Sequence, residues 1–338
     1  MREIISRRSI LAGLSAAGIT AVSTAMPRDA ASQETKNAGK QALTPGPTPI
    51  RQAMNIRRVG NESPEAMILR MRKNGFTAIK GARHAGGNVG EPWNSMTPGE
   101  RAEVVAACKK HDVVIYEVGG YTNLVTPDNS KLEQNLLRLI HCMEVAESVN
   151  CGMVGTVAGC RDPKYLINVH PENWSPETWK LLVKSVKRVL KDTSGMKVTL
   201  GMEAQVTTII DSPRAHLRLL EDVGNDRLTV NLDPVNMVNF ERYYHTKELI
   251  NECFDLLGER IMGAHAKDTY ILPDQQTIHI QEVCPGRGVL DYPTYLLRLS
   301  HMKWPRALEP EHIPDDQYPE ATEYVASTAA KIGVKLYK

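Results

Sequence analysis

The chain has no large excess of charge of either sign: 41 Lys and Arg stand against 39 Asp and Glu, a formal net charge of +2 over 338 residues. Gripping a phosphate backbone takes a strong positive field, so nucleic acid is not favoured as a partner. Paired cysteine spacing is missing too. The six cysteines, Cys108, Cys142, Cys151, Cys160, Cys253 and Cys284, are scattered, which argues against a cysteine zinc site and predicts mostly buried thiols with at most one oxidised pair. No glycine-rich fingerprint follows a strand-like run, which removes the signature of a dinucleotide-binding open sheet. The weakly apolar stretch Leu11 to Val22 is too short and too rich in Ala and Gly for a membrane span, so no integral span is expected once it is removed.

That stretch follows Ser6-Arg7-Arg8-Ser9-Ile10-Leu11, a close match to a twin-arginine export signal. Residues 1–25 read as the signal, with small residues Ser23 and Ala25 before a cut after Ala25, and a periplasmic or extracellular destination follows. Residues 26–49, ending in Thr44-Pro45-Gly46-Pro47-Thr48-Pro49, read as a flexible linker. Residues 50–338 remain for one catalytic domain. With 42% hydrophobic residues overall, that length is ample for a single core.

From Ile50 onward, strand-like and helix-like segments alternate. The strand-like runs are Ile50–Arg57, Phe76–Arg83, Val113–Val118, Met153–Ala158, Lys197–Glu203, Leu228–Asp233, Ile261–His265 and Arg306–Glu309. Helix starts carry capping signals: Ser63-Pro64-Glu65, Thr97-Pro98-Gly99-Glu100, Ser175-Pro176-Glu177 and Ser212-Pro213. The longest amphipathic stretch, Leu132 to Val149, places Leu132, Leu136, Leu139, Ile140, Met143 and Ala146 on one face. Eight such units predict an α/β fold of the (β/α)8 TIM barrel type, which takes roughly 250 residues.

Four of the later strand-like runs end in a side chain suited to metal: Gly201-Met202-Glu203, Asn231-Leu232-Asp233, Gly263-Ala264-His265 and Ala307-Leu308-Glu309. In a parallel barrel, residues at the carboxyl ends of successive strands converge on one pocket. With period two, Glu203, Asp233, His265 and Glu309 all point inward, while Met202, Leu232, Ala264 and Leu308 face the helices. Oxygen-rich ligation with one imidazole fits a single divalent ion, Mn²⁺, Mg²⁺, Co²⁺ or Zn²⁺, without choosing among them. Glu311 shares the parity of Glu309, so the last ligand can also be placed two residues later.

At these residues the chain resembles the sugar phosphate isomerase/epimerase superfamily, the xylose-isomerase-like barrels. The resemblance rests on Gly201-Met202-Glu203, Asn231-Leu232-Asp233-Pro234-Val235-Asn236, His265-Ala266-Lys267-Asp268, Pro285-Gly286-Arg287-Gly288 and Leu308-Glu309-Pro310-Glu311, and spans roughly Ile50 to Lys338. It implies a divalent metal at the barrel mouth. It also implies two glutamates, by motif Glu203 and Glu309, that bind metal and move protons, with Asp233 and His265 completing the ligand set. Asn236 stands where many members carry a histidine. An amide can donate to a sugar oxygen but cannot shuttle a proton at neutral pH.

Around this set, several residues have both a functional and a structural reading. Lys267 is inward like His265, and either contacts substrate or the charge developing on it, or pairs with a carboxylate. Asp268 reads foremost as a loop cap. Arg287 either reaches a substrate oxygen or belongs to a tight turn before the helix start at Asp291. His84 and Glu117, at strand ends, line the pocket or are structural, and Trp93 either stacks on a sugar face or packs elsewhere.

The chemistry expected is proton abstraction next to a metal-polarised carbonyl through an enediolate, giving isomerisation or epimerisation of a carbohydrate. An export signal points to an unphosphorylated one. The alternative is β-elimination from a 3-keto-glycoside by a lyase or hydratase. A metal-dependent endonuclease ranks third, because Cys160-Arg161 follows the fourth strand where its trinuclear site needs a carboxylate. A barrel that merely binds sugar is disfavoured by the complete ligand set. Barrels of this kind often associate through helix or loop surfaces, but nothing in the sequence identifies a patch, so oligomeric state stays open, with a homo-oligomer such as a dimer one option.

Overall fold

A computed structural model of the protein describes residues 43–56, 62–81, 93, 96–302 and 307–338. The signal segment, most of the linker and His84 lie outside the described residues. Eight parallel strands close into a barrel: β1 (Arg51–Asn55), β2 (Ala78–Gly81), β3 (Val114–Gly119), β4 (Met153–Val157), β5 (Thr199–Glu203), β6 (Leu228–Leu232), β7 (Ile261–Ala266) and, after the hairpin β8 (Asp268–Ile271) and β9 (Ile280–Val283), β10 (Ala307–Pro310). β1 pairs with both β2 and β10, so the sheet has no open edge. The expected (β/α)8 TIM barrel is present. The hairpin was not expected, because Thr269 to Val283 carries no long apolar alternation.

The helices start where the sequence signals them. Ser63, Ser175 and Ser212 each accept a backbone N–H at the head of α1 (Pro64–Lys73), α4 (Pro176–Asp192) and α5 (Pro213–Val223), and proline sits in the first turn of each. Thr97 and Glu100 close a reciprocal capping box at α2 (Pro98–Lys110). The amphipathic stretch forms α3 (Asn129–Ser148), burying Leu136, Leu139, Met143 and Ala146, with Leu132 and Ile140 packed at the margin. α6 (Thr246–Leu257), α7 (Tyr292–Ser300) and α8 (Tyr318–Lys331) complete the outer layer among the described residues.

Between strands and helices lies a continuous apolar core that includes Ile79, Val118, Leu200, Met202, Leu232 and Leu308. Inside the barrel, a smaller layer of Ala53, Ala78, Tyr116, Met153 and Ala307, with Met262 packed against it, forms the floor. All six cysteines are free and buried, so the allowance for one oxidised pair is not used. Residues 44–48, read from sequence as the end of a flexible linker, are held against the barrel instead. Gly46 N–H donates to Ser300 Oγ at 2.8 Å, Thr48 N–H to Ser300 O at 3.1 Å and Thr48 Oγ1 to Met302 O at 2.6 Å. Pro45 and Pro47 lack N–H groups, and Gly46 and Thr48, the residue after each, supply the donors.

Within α5, His216 is fully buried and neither ring nitrogen has a hydrogen-bond partner. Burial therefore drives its pKa down to about 4. Unfolded chains protonate this imidazole below about 6.5, so stability is lost as pH falls from there toward the folded value. The loss amounts to about 2 kcal/mol by pH 5. Urea unfolding of His216→Leu at pH 7 and pH 5 is expected to show a correspondingly smaller acid loss than wild type; equal losses would remove His216 as the cause.

Candidate active site

Two register shifts shape the interior. Between β2 and β3, Ile79 pairs with Ile115 and Lys80 with Glu117, so Tyr116 is the extra residue of a bulge. Tyr116 and Glu117 consequently both reach inward, which strict period two forbids. A second shift, where Val230 pairs with Ile261 and Asn231 with Gly263, brings Met262 inward. Small residues then make room. A Cβ on Gly155 would strike the Glu117 carboxylate, and one on Gly263 would strike Asn231 and Met153.

Above the floor, this packing gathers five fully buried carboxylates, Glu117, Glu203, Asp233, Glu309 and Glu311, around two buried lysines and one buried histidine. Glu203 ends β5, Asp233 directly follows β6, His265 lies near the end of β7, and Glu309 and Glu311 lie in and just beyond β10. Donor atoms of Glu203, Asp233, His265 and Glu311 all lie within 4.8 Å of one another. Nδ1 of His265 faces this group, 3.2 Å from Glu311 Oε2, 3.4 Å from Asp233 Oδ2 and 3.7 Å from Glu203 Oε2. Three of the four ligands read from sequence are thus brought together. The fourth place is taken by Glu311 rather than Glu309. Glu309 pairs in register with His265 itself, so its carboxylate stays one layer lower, where Tyr116 donates to Oε2 and Lys80 Nζ lies 3.4 Å away. Two residues further on, Glu311 reaches the level of the mouth.

These donors fit a divalent cation. Asp233 Oδ2 and His265 Nδ1 are buried without a hydrogen bond; Oδ2 has the Lys267 ammonium 3.0 Å away, while Nδ1 faces only carboxylate oxygens of Glu311, Asp233 and Glu203, the oxygen-rich surroundings a divalent ion takes. The ligands are also firmly placed. Glu203 Oε2 accepts from Tyr121 at 2.9 Å and Oε1 from Asn236 Nδ2 at 2.5 Å, while Asp233 Oδ1 accepts from the Asn236 backbone at 3.2 Å. Asn236 Oδ1 in turn accepts from Lys267 Nζ at 3.1 Å. That ammonium also lies 3.0 Å from Asp233, 3.2 Å from Glu311 and 3.3 Å from Glu282. Lys267 therefore sits in the cluster, paired with carboxylates.

Electrostatics separates the carboxylates. Burial pushes Glu203 up to about 7, helped by Glu311 and Asp233 and opposed by His265 and Lys267. Burial raises Glu309 as well, against the pull of Lys80. For Glu311 burial acts in the same sense, but His265, Lys80 and Lys267 together hold it well below the usual range. Burial would discharge His265, yet Glu311 and Glu203 keep its pKa well above that of a free imidazole.

Other sequence candidates land elsewhere. Trp93 is fully buried in the core between strands and helices, and a Cβ on Gly81 would overlap its indole. Gly81 follows inward-facing Lys80 and so faces the helices, which removes Trp93 from the mouth. Arg287 forms a two-point pair with Glu320 of α8, Nε to Oε1 at 2.7 Å and Nη2 to Oε2 at 2.5 Å, on the surface. Asp268 is the loop cap it was read to be, accepting from the backbone N–H groups of Thr269, Gly286 and Leu290. Residues with no site role read from sequence are Lys80, Tyr116, Tyr121, Asn231, Glu282 and His312. Lys80 could have been found as a lone charge at an inward position of the otherwise apolar Ala78-Ile79-Lys80-Gly81. Glu282 comes from the unexpected hairpin, and its Oε2 lies 2.8 Å from His312 Nδ1.

Comparison with known proteins gives the same architecture. A family model described as xylose isomerase-like TIM barrel matches residues 68–329. No curated protein matches by sequence. Among solved structures, a xylose isomerase-like TIM barrel protein from Mycobacterium smegmatis in complex with magnesium is 16% identical, with a TM-score of 0.58 over 84% of this chain and 97% of that one. A 3-keto-D-glucoside 4-epimerase from E. coli is 14% identical, with a TM-score of 0.58 over 83% of this chain and 99% of its own. A Bacillus anthracis protein described as a 3-DHS dehydratase is 14% identical, with a TM-score of 0.60 over 82% and 99%. At these identities the likeness is one of fold.

Proposed function

Because this chain belongs to the xylose isomerase-like TIM barrel family, we propose that it is a metal-dependent sugar isomerase or epimerase that moves a proton beside a carbonyl of an unphosphorylated carbohydrate. The observation that carries the proposal is the buried group of Glu203, Asp233, His265 and Glu311, whose donor atoms all lie within 4.8 Å of one another, with His265 Nδ1 facing its carboxylate oxygens and making no hydrogen bond. These four residues would hold the ion. When bound, a divalent ion such as Mn²⁺, Mg²⁺, Co²⁺ or Zn²⁺ supplies a Lewis acid that polarises a carbonyl.

Glu203 takes the proton from the carbon next to that carbonyl. Tyr121 and Asn236 fix its carboxylate at the end of β5, facing the centre of the group. Return of that proton by Glu203 to the adjacent carbon gives isomerisation, while Glu311, just beyond a strand three places around the barrel from β5 and held as an anion, faces the same space from another side as a ligand to the ion. Lys267 holds Asn236 in place, and Asn236 orients substrate oxygens. A neutral carbohydrate suits the surroundings, because the described cations nearby, Lys80 and Lys267, are paired with carboxylates, and Arg287 with Glu320. We place this activity outside the cytoplasm, on the strength of Arg7-Arg8 and the stretch after them.

One observation favours the second reading, elimination from a keto-glycoside. A groove of about 420 Å³ opens beside Asn236 and Glu282, walled by Val206, Val238, Phe240, Ile278 and Ile280. It has room for the second part of a glycoside. Proton NMR in D₂O of the metal-loaded protein with free ketoses, aldoses and 3-keto-glycosides separates the two. Deuterium entering an intact free sugar is the expected result and identifies the carbon; release of the glycosidic substituent from a keto-glycoside alone would assign a lyase.

A further inference from the structure

Beneath the proposed metal site, Glu117, His265 and Glu309 form a second group whose donor atoms lie within 4.8 Å of one another. Two carboxylates and an imidazole are an ordinary divalent-metal set, and Glu309 Oε1 is buried there without a hydrogen bond. His265 stands between the two groups. Its Nδ1 faces the upper one, and its Nε2 lies 3.7 Å from Glu117 and 3.9 Å from Glu309.

Lys80 reaches into this lower group. Its fully buried ammonium lies 3.4 Å from Glu117, 3.4 Å from Glu309 and 3.3 Å from His265 Nε2, and donates to Tyr121 Oη at 3.2 Å. It also donates to Glu311 Oε1 at 2.8 Å, which leaves Oε2 of that carboxylate turned to the upper group. The backbone is arranged for this contact, since the bulge at Tyr116 turns Glu117 inward opposite Lys80 and Gly155 leaves space for its carboxylate.

We propose that Lys80 acts as a built-in cation at the lower group, so that the barrel carries one metal ion where its donors would otherwise hold two. The inference rests on the metal reading of the upper site. An ammonium tethered to the chain supplies positive charge to Glu117 and Glu309 at all times, and it repels any ion entering beside it. Lys80 is a positioning residue, since it orients Glu311 toward the ion and touches no substrate.

Titration of the full chain with Mn²⁺, followed by native mass spectrometry and electron paramagnetic resonance, tests this directly. The wild type is expected to saturate at one Mn²⁺ with an uncoupled signal, and Lys80→Ala at two with a spin-coupled signal. Two ions in the wild type, or one in a folded Lys80→Ala, would overturn the inference while sparing the upper site. No ion in the wild type would overturn the metal reading and this inference with it. If Lys80→Ala unfolds without metal, Mn²⁺ should restore the fold with two ions bound. Failure to recover at any Mn²⁺ concentration would count against a vacated cation site.

Discussion

Glu203→Gln is expected to lower solvent-deuterium exchange into substrate by on the order of 10³-fold, with the fall in kcat rather than KM. The substitution keeps shape and volume but removes the proton acceptor. It also removes an anionic donor from the group formed with Asp233, His265 and Glu311. The fold should survive, because a glutamine oxygen can still accept from Tyr121 or Asn236, which hold the native carboxylate at 2.9 and 2.5 Å. Supplying excess metal should restore occupancy without restoring exchange. Exchange that persists at wild-type rates in the folded, metal-loaded variant would refute Glu203 as the base.

Metal affinity is expected to separate Glu311 from Glu309. Loss of a partner behind a metal ligand typically costs 10- to 100-fold in affinity, and loss of a direct anionic ligand should cost at least about 100-fold. Glu311→Gln is therefore expected to weaken Mn²⁺ or Mg²⁺ binding by at least about that factor, because its Oε2 lies 3.2 Å from His265 Nδ1 at the centre of the upper group. Glu309→Gln should weaken it far less. Glu309 lies with Tyr116 and Lys80 in the layer below, so its loss should appear mainly as lower thermal stability. Calorimetric titration of both variants decides the matter. The opposite order would return the last ligand to Glu309, the position suggested by the sequence motif.

The difference between these two glutamates shows how far a linear pattern reaches. Alternation in β10 correctly turns Glu309 inward, and Glu311 with it. Period two cannot say which of the two stands level with the donors of three other strands, because that depends on the stagger of strands around a closed barrel. Glu117 and Tyr116 illustrate the same limit differently: a bulge, invisible in the hydrophobic pattern, brings neighbours to one face. Lys80 is a lone charge in an apolar strand, and its partners arrive from β3 and from in and beyond β10. Trp93 shows the converse, since an aromatic on a loop after a strand suggests a sugar platform, while its indole fills the core against Gly81.

What the sequence determined by itself is the set of local, periodic instructions. Capped helix starts at Ser63, Thr97, Ser175 and Ser212 and strand-like runs between them suffice for an eight-unit barrel, because each depends on residues only a few places apart. Glu203, Asp233 and His265 were legible for the same reason, each closing an apolar strand in inward register. Tertiary structure alone decided the layering inside the barrel: which carboxylate completes the upper group, that two lysines offset part of the buried negative charge, and that a hairpin adds Glu282 at the rim. Those outcomes follow from strand stagger, bulges and the mutual cost of burying like charges, and these act between residues brought together only when the barrel closes.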